Sequence, residues 1–464
     1  MKVAAPDAEF TIPFQPFGQA YDMGRAPDGT PLIDPRLFDT REFQRNPYPY
    51  YRIMRDHYPV YHDRLHNAYY LTRYWDVTQA YMDDEGFNTI PKGSSNAVLG
   101  NVQHELSGVE HRRRRNMYGQ HLVGESLKAR IPAIEKLAAE MILRFAGPVA
   151  SELVEENISG RRTVELGKAF ADEFPVRVVC QVLGFPEEAR SRFYHWYTSM
   201  MRGLGASESA LQGIRAHQEI ADFVGELIPE RRKNPTYLYD QQGNVMSEDI
   251  ISKLSRSELD GDLLSVEEVS SNIVLIVAAG GDTTRGAIMN MWFQLLTHPE
   301  QFRAVQDDPS LFQTAIHETL RFSSSVGGQP RHTSYDVTMH GVTIPAGSLV
   351  NCVDFSASHD ERVFKEPETF NLFRDDLYSG KLLRNGHHAN GRHNHMAFGV
   401  GPHMCPGAWI SVQESILGSE ILLKSLKNPS INWDRQPKDL AEPEKLAQVG
   451  TVALRELWLD FDPA

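Results

Sequence analysis

The chain has 464 residues, 47 Lys and Arg against 61 Asp and Glu, and a net charge of −14, with 41% of residues hydrophobic. That acidic balance excludes a general nucleic-acid binder, which needs a basic surface to neutralise phosphates. Three cysteines, Cys180, Cys352 and Cys405, odd in number and far apart, make no disulfide framework and point to a reducing compartment.

The amino terminus is broken by Pro6, Pro13, Pro16 and Gly18 and lacks the continuous apolar core of a signal peptide or membrane anchor. The expectation is a cytoplasmic protein without membrane contact. Residues 1–37 read as an extended arm, and 38–464, free of repeats and low-complexity linkers, as a single unit. From Pro47, PYPYYRIMRDHYPVYHD reads as a short helix, followed by a strand at Ala68–Thr72 and another helix. Helical stretches cover most of 108–232, and NPTYLYDQQGNVMS is a polar loop with strong turn chemistry.

The most legible helix starts at Ser265, which forms a capping box with Glu268, and runs to Leu296 before Thr297, His298 and Pro299 stop it. At about 1.5 Å per residue it is about 48 Å long and should cross the core. Ser310 and Gln313 form a second box, opening the helix that carries His317 to Arg321. Val337 to His340 and Ser348 to Asn351, parted by Gly341 and Gly347, read as a small β region. A helix from about Ala408 to Leu426 and a strand pair within Val449 to Asp460 close the chain. The fold class is mainly α with a minor β region.

Around Cys405 the sequence is FGVGPHMCPGA, with a helix beginning just after the cysteine. Gly399, Gly401 and Gly407 allow a tight loop whose N–H groups turn toward the sulfur, and the helix N-terminus adds its positive end. Both favour a thiolate, the form a metal ligand takes. A lone cysteine is otherwise a small buried hydrophobe. Zinc would need a second thiolate or histidines at ligand spacing, and no CxxC or HxxxH accompanies His395 and His403.

FGVGPHMCPG resembles the haem-binding signature of the cytochrome P-450 family, with Phe398, Gly399, Gly401, His403, Cys405 and Gly407 all in place. The resemblance extends from about residue 38 to the carboxyl terminus and carries further motifs. Glu318-Thr-Leu-Arg321 matches the family's buried ion pair, which a later arginine joins; Arg374 stands at the matching place, and the three are structural. Ala279-Gly280-Gly281-Asp282-Thr283-Thr284 matches the stretch of the long helix that passes over the haem. There a glycine opens a groove for dioxygen, and the acid and alcohol at the positions of Asp282 and Thr283 deliver protons for O–O cleavage. His111 and Arg115 match the H-x-x-x-R element, and with Arg331 and His403 they are expected at the haem propionates.

The resemblance implies a single-domain cytochrome P-450 fold holding haem b between the long helix and the helix after Cys405. It implies an oxidoreductase that hydroxylates or dealkylates a small or medium-sized apolar molecule with O2. No length remains for a flavin or iron–sulfur domain, so the expected electron donor is a separate ferredoxin with its NAD(P)H reductase. A peroxide-driven hydroxylase and a non-catalytic haem ligand or gas sensor are the alternatives. The expected pocket is lined by Val98, Leu99, Met200, Ile276, Ala279, Val326 and Val449, with Phe193, Tyr194, Trp196 and Tyr197 in the core. Arg112, Arg113 and Arg114, with Lys381, Arg384 and Arg392, would form a basic face for an acidic ferredoxin. The 23 residues from Asp375 to Ala397 exceed the family's usual link, and this tract, with His387, His388, His393 and His395, reads as a surface loop.

Overall fold

The computed structural model describes residues 22–40, 43, 46–89, 106–149, 151–156, 160–205, 209–239, 243–377, 392–437, 454 and 456–463. The first elements are α1 (Tyr48–His57), β1 (Val60–Asp63), β2 (Ala68–Leu71), α2 (Tyr74–Met82) and β3 (Phe87–Thr89). A helical body follows: α3 (Gly108–Gly119), α4 (Gly124–Lys128), α5 (Ile131–Ala146), strands β4 (Val154–Glu156) and β5 (Arg162–Glu165), then α6 (Phe174–Leu183), α7 (Arg190–Gly205) and α8 (Ala210–Lys233). After the pairs β6 (Tyr237–Tyr239) with β7 (Val245–Glu248), and β8 (Glu258–Leu259) with β9 (Asp262–Leu263), which flank α9 (Ile250–Ser255), come α10 (Val266–Gly280) and α11 (Asp282–Thr297). The rest comprises α12 (Pro299–Asp307), α13 (Phe312–Phe322), β10 (Gly328–Thr333), β11 (Val337–Met339), β12 (Val342–Ile344), β13 (Leu349–Val353), α14 (Asp354–Ala357), α15 (Ala408–Ser425), β14 (Lys427–Ile431) and β15 (Trp458–Asp462).

Helices dominate, as the sequence implies. One sheet runs β1-β2-β13-β10-β3, with β13 parallel to β2, and another runs β14-β15-β5-β4. Helices α10 and α11 run through the main core, packed against α6, α8, α13 and α15. Leu37 and Phe38 lie in a second cluster, where the Phe38 ring stacks on Tyr70 with centroids 4.9 Å apart.

Ser265 makes the expected capping box: its Oγ accepts from Glu268 N at 3.1 Å, and Glu268 Oε2 accepts from Ser265 N at 3.0 Å. The single long helix is instead two, broken at Gly281, where ψ reaches −75°. A Cβ at Gly281 would overlap the Cζ and hydroxyl of Tyr197 on α7, and one at Gly280 would overlap Val179 on α6. Two glycines cost a helix about 1 kcal/mol each against alanine; here they admit neighbouring side chains on their Cβ sides.

The second capping box does not form. Asp308 caps instead, accepting from Ser310 N at 3.1 Å and Ser310 Oγ at 2.7 Å, and Pro309 starts a short 3-10 turn before α13. Asp followed by Pro at the first helical position is the stronger start signal. Strand β1 occupies the tail of the expected first helix, and β6 and β7 lie in the expected polar loop. Of the expected terminal strand pair, 449–453 lies outside the described residues; Trp458–Asp462 pairs with β14 and β5.

Glu318 and Arg321 are fully buried and pair through two bonds, Nε–Oε2 2.7 Å and Nη2–Oε1 2.8 Å, with Arg374 Nη1 3.2 Å from Glu318 Oε1. Arg321 also donates to the carbonyls of Ser358, Pro367 and Thr369, and Glu318 accepts from Asn371 N. Removing one partner of a buried, fully bonded pair strands the other, so Arg321→Ala should cost about 3–5 kcal/mol in denaturant unfolding. A loss under about 1 kcal/mol, the size of an exposed pair, would show that this network does not carry the fold.

Candidate active site

Cys405 follows a tight turn. Gly399 and Gly401 adopt φ of 62° and 73°, Cys405 N donates to Phe398 O at 2.8 Å, and Met404 N to Gly401 O at 3.1 Å. A Cβ at Gly401 would meet Tyr81 O at 2.8 Å and Met82 Sδ at 2.9 Å, so only glycine lets the loop press against the end of α2. The N–H groups of Gly407 and Ala408 and the charge of Arg115 favour the thiolate, as the sequence suggests, but burial outweighs them and raises the Cys405 thiol above its ordinary value. The polypeptide alone therefore leaves the sulfur protonated at neutral pH; a coordinated metal would remove that proton outright.

Around the loop the structure gathers the residues expected at the propionates. His111 and Arg115, one turn apart on α3, face the same way: the His111 ring stacks on His403 at 3.8 Å, and Arg115 donates to the carbonyl of Met404 beside the cysteine. Burial, His403 and Arg115 push His111 down to about 3. Its buried Nδ1 meets no partner among the described residues. Burial and Arg331 lower His403, although Asp84, accepting its Nε2 at 2.9 Å, works the other way. Arg331 lies on β10 with its guanidinium 4.8 Å over the ring of Tyr81. An orphaned imidazole nitrogen beside two arginines and a thiol on a glycine loop suits a group with one soft-ligand metal and two carboxylates. Haem fits this set.

Thr284 Oγ1 lies 2.9 Å from Ser411 Oγ on α15, and Ser325 Oγ donates to Thr283 O at 2.9 Å, so the helix break is tied both to the helix after Cys405 and to the loop carrying Val326. Ile276, Ala279 and Thr283, three and four apart on one face across α10 and α11, all keep accessible surface. Thr283 Oγ1 donates to Ala279 O at 2.9 Å, the bond by which a helical threonine bends its helix. Met200 is fully buried in the main core, and Val326 is half-buried. Val98, Leu99 and Val449 lie outside the described residues.

This chain belongs to the cytochrome P-450 family. A family model described as cytochrome P-450 matches residues 204–448. Pulcherriminic acid synthase of Bacillus subtilis (strain 168) is 28% identical over 400 residues, 85% of this chain and 91% of that protein. Vitamin D(3) 25-hydroxylase of Pseudonocardia autotrophica is 30% identical over 381 residues, 80% and 83% of the two chains. A solved cytochrome P-450 from Chondromyces apiculatus superposes with a TM-score of 0.74 at 26% identity, covering 92% of this chain and 98% of that one. The protein is thus an oxidoreductase of the monooxygenase class, a family whose members carry haem and iron.

Several residues that shape this P-450 site carry no sequence signal. Asp84 bridges His403 and Gly108 N, the latter at 2.7 Å. Glu414 is buried on α15 with its carboxyl held well above the usual range by burial, opposed by a bond from Thr284. No motif spacing marks either position. The histidine tract departs from expectation where it is described: His393 and His395 are buried, His393 N donating to Tyr74 Oη at 2.6 Å and His395 Nε2 lying 3.2 Å from His317 Nδ1. A chain returning to the cysteine loop must enter the body here. His387 and His388 lie outside the described residues. Among the described residues no group of three or more His, Cys, Asp or Glu could hold a metal ion, and no helix is long and apolar enough to cross a membrane.

On α3 the arginines of the basic stretch differ in their partners. Arg113 pairs with Asp260 at 2.6 Å, and Arg114 pairs with Glu110 at 2.6 Å and Glu268 at 3.2 Å; Arg112 is exposed. Lys381 and Arg384 are not among the described residues, while Arg392 donates to Val363 O at 3.1 Å.

Behind Arg331, Tyr81 donates to Asp354 Oδ1 at 2.9 Å and accepts from Gln329 N at 3.1 Å. Burial raises the Asp354 carboxyl to about 8 despite Tyr81 and Arg331. A carboxyl that binds its proton more tightly when folded contributes stability that is complete below its unfolded value of about 3.9 and is lost as pH rises through about 8. Asp354→Asn, neutral throughout, should therefore gain in Tm relative to the unaltered protein between pH 5 and pH 8. Parallel Tm curves over that range would show that Asp354 is already ionised at pH 5.

Proposed function

We propose that the protein is a haem-thiolate monooxygenase that uses O2 and two electrons from a separate ferredoxin-type donor, reduced by its NAD(P)H reductase, to hydroxylate or oxidatively dealkylate a small or medium-sized apolar molecule. The observation that carries this reading is the glycine-built turn that presents Cys405 beside His111, Arg115, Arg331 and His403. Haem b would be held by the Cys405 sulfur, with those four residues at its propionates and Phe398 and Gly399 shaping the loop. When bound, haem supplies the redox centre for dioxygen activation, and thiolate donation favours heterolytic O–O cleavage. The chain's own part is to exclude water with the apolar strip of α10 and to move protons. Asp282 receives them from solvent, and Thr283 passes them on once its hydroxyl leaves Ala279 O.

An apolar substrate is supported by Ile276, Ala279 and Val326, which offer no charge to anchor a carboxylate or phosphate, and by a relative named for hydroxylating vitamin D(3). For an acidic ferredoxin, Arg112 and Arg113 are exposed, although Arg113 and Arg114 each pair with an acid of this chain. Three free cysteines agree with a cytoplasmic location.

Cys405→His tests the ligand. The reduced protein with carbon monoxide should show the strongly red-shifted Soret band of thiolate ligation, and the variant should lose it; a band that persists would place the ligand elsewhere. Thr283→Ala tests the path and separates O2-driven from peroxide-driven chemistry. With a compound that perturbs the haem spectrum, the variant should keep NADH oxidation while product falls and hydrogen peroxide rises, since proton delivery matters by about 10²- to 10⁴-fold. Undiminished product per NADH would remove Thr283 from the path.

A further inference from the structure

Tyr197 is one of the aromatic residues expected in the core, and it is buried at 4% exposure. Its hydroxyl faces the side chain and backbone of Asp282 without completing a hydrogen bond of good geometry among the described residues. Such groups are rare in native structures and call for a cause. The hydroxyl rests against Gly281, where any side chain would overlap it, at the point where α10 ends and one residue before Asp282 opens α11. A tyrosine that needed only to fill space could be phenylalanine; this one brings a donor to the break in the helix.

The other charged groups nearby are engaged. Arg285 Nε lies 2.5 Å from Asp172, and its Nη1 donates to Leu454 O at 2.9 Å. Asp172, Glu173, Tyr194, Arg285 and Asp282 are the titratable and charged groups that face this corner from the elements packed on it.

We propose that Tyr197 is a positioning residue for Asp282: its hydroxyl donates to the Asp282 carboxylate and holds it at the helix break, from which the acid serves Thr283. Tyr197 keeps its proton throughout, and Gly281 is there to admit its ring. The inference rests on the proton-path reading given above.

Tyr197→Phe removes the hydroxyl and leaves the ring that packs on Gly281. In holoprotein supplied with NADPH, a plant-type ferredoxin and its reductase, dioxygen uptake in the variant should fall by about 10- to 100-fold, the range for a misplaced catalytic group. Added to Asp282→Asn, the change should have little further effect, as for two residues acting as one unit. A readout without turnover is the fluorine resonance of 3-fluorotyrosine at 197, assigned by its loss in Tyr197→Phe, which should shift in Asp282→Asn. If Asp282→Asn slows uptake while Tyr197→Phe is silent or additive and the resonance stays in place, Tyr197 is only a core residue and the proton path stands. If Asp282→Asn itself is silent, the path fails and this role falls with it.

Discussion

Burying two opposite charges in an apolar core is tolerable only if every donor and acceptor on them is met. In this protein the Glu318–Arg321 pair imposes that condition on the chain around it. Arg321 takes three carbonyls, from Ser358, Pro367 and Thr369, and Glu318 takes the N–H of Asn371 and the guanidinium of Arg374. The irregular stretch from 358 to 376 is thereby fastened to α13 at several points without being helix or sheet. Ser358 then accepts from Met396 N at 3.1 Å, which fixes where the cysteine loop begins. The position of Cys405 thus descends from an ion pair more than eighty residues earlier.

The site shows a division of labour between backbone and side chains. Glycines at 399 and 401 give the loop its shape, and the imidazoles and arginines that surround it come from α3 and β10, elements far apart in sequence. The polypeptide does not by itself ionise Cys405; burial keeps the thiol protonated, and the N–H groups of Gly407 and Ala408 only moderate this. In the proposed function the loop would provide a ligand whose proton leaves on coordination.

Much of this was legible from residues alone, because the informative features are local. The cysteine loop, the Glu318–Arg321 spacing and the capping box at Ser265 are each set by a few neighbouring positions. Features that depend on distant partners were not. That Gly280 and Gly281 admit Val179 and Tyr197 is decided by helices about a hundred residues away. The same holds for Arg113 and Arg114, a basic run in sequence that in the fold clasps Asp260, Glu110 and Glu268. At Ser310 the competition was local, but Asp308-Pro309 outbid the serine. His395 was misread because its partner His317 lies seventy-eight positions earlier in the chain.

The parallel pairing of β2 with β13 joins Ala68–Leu71 to Leu349–Cys352. During synthesis at about 5–20 residues per second, β2 emerges and then waits for about a quarter of a minute to a minute before its partner exists. In that interval the β1–β2 pair presents a bare edge lined by Tyr69, Tyr70 and Leu71, the kind of template on which a second nascent chain can pair. The helical body between them can begin to form from local contacts in the meantime, so β2 keeps an unpaired edge while much of the chain folds around it, and only the sheet β14-β15-β5-β4 waits on residues made later still.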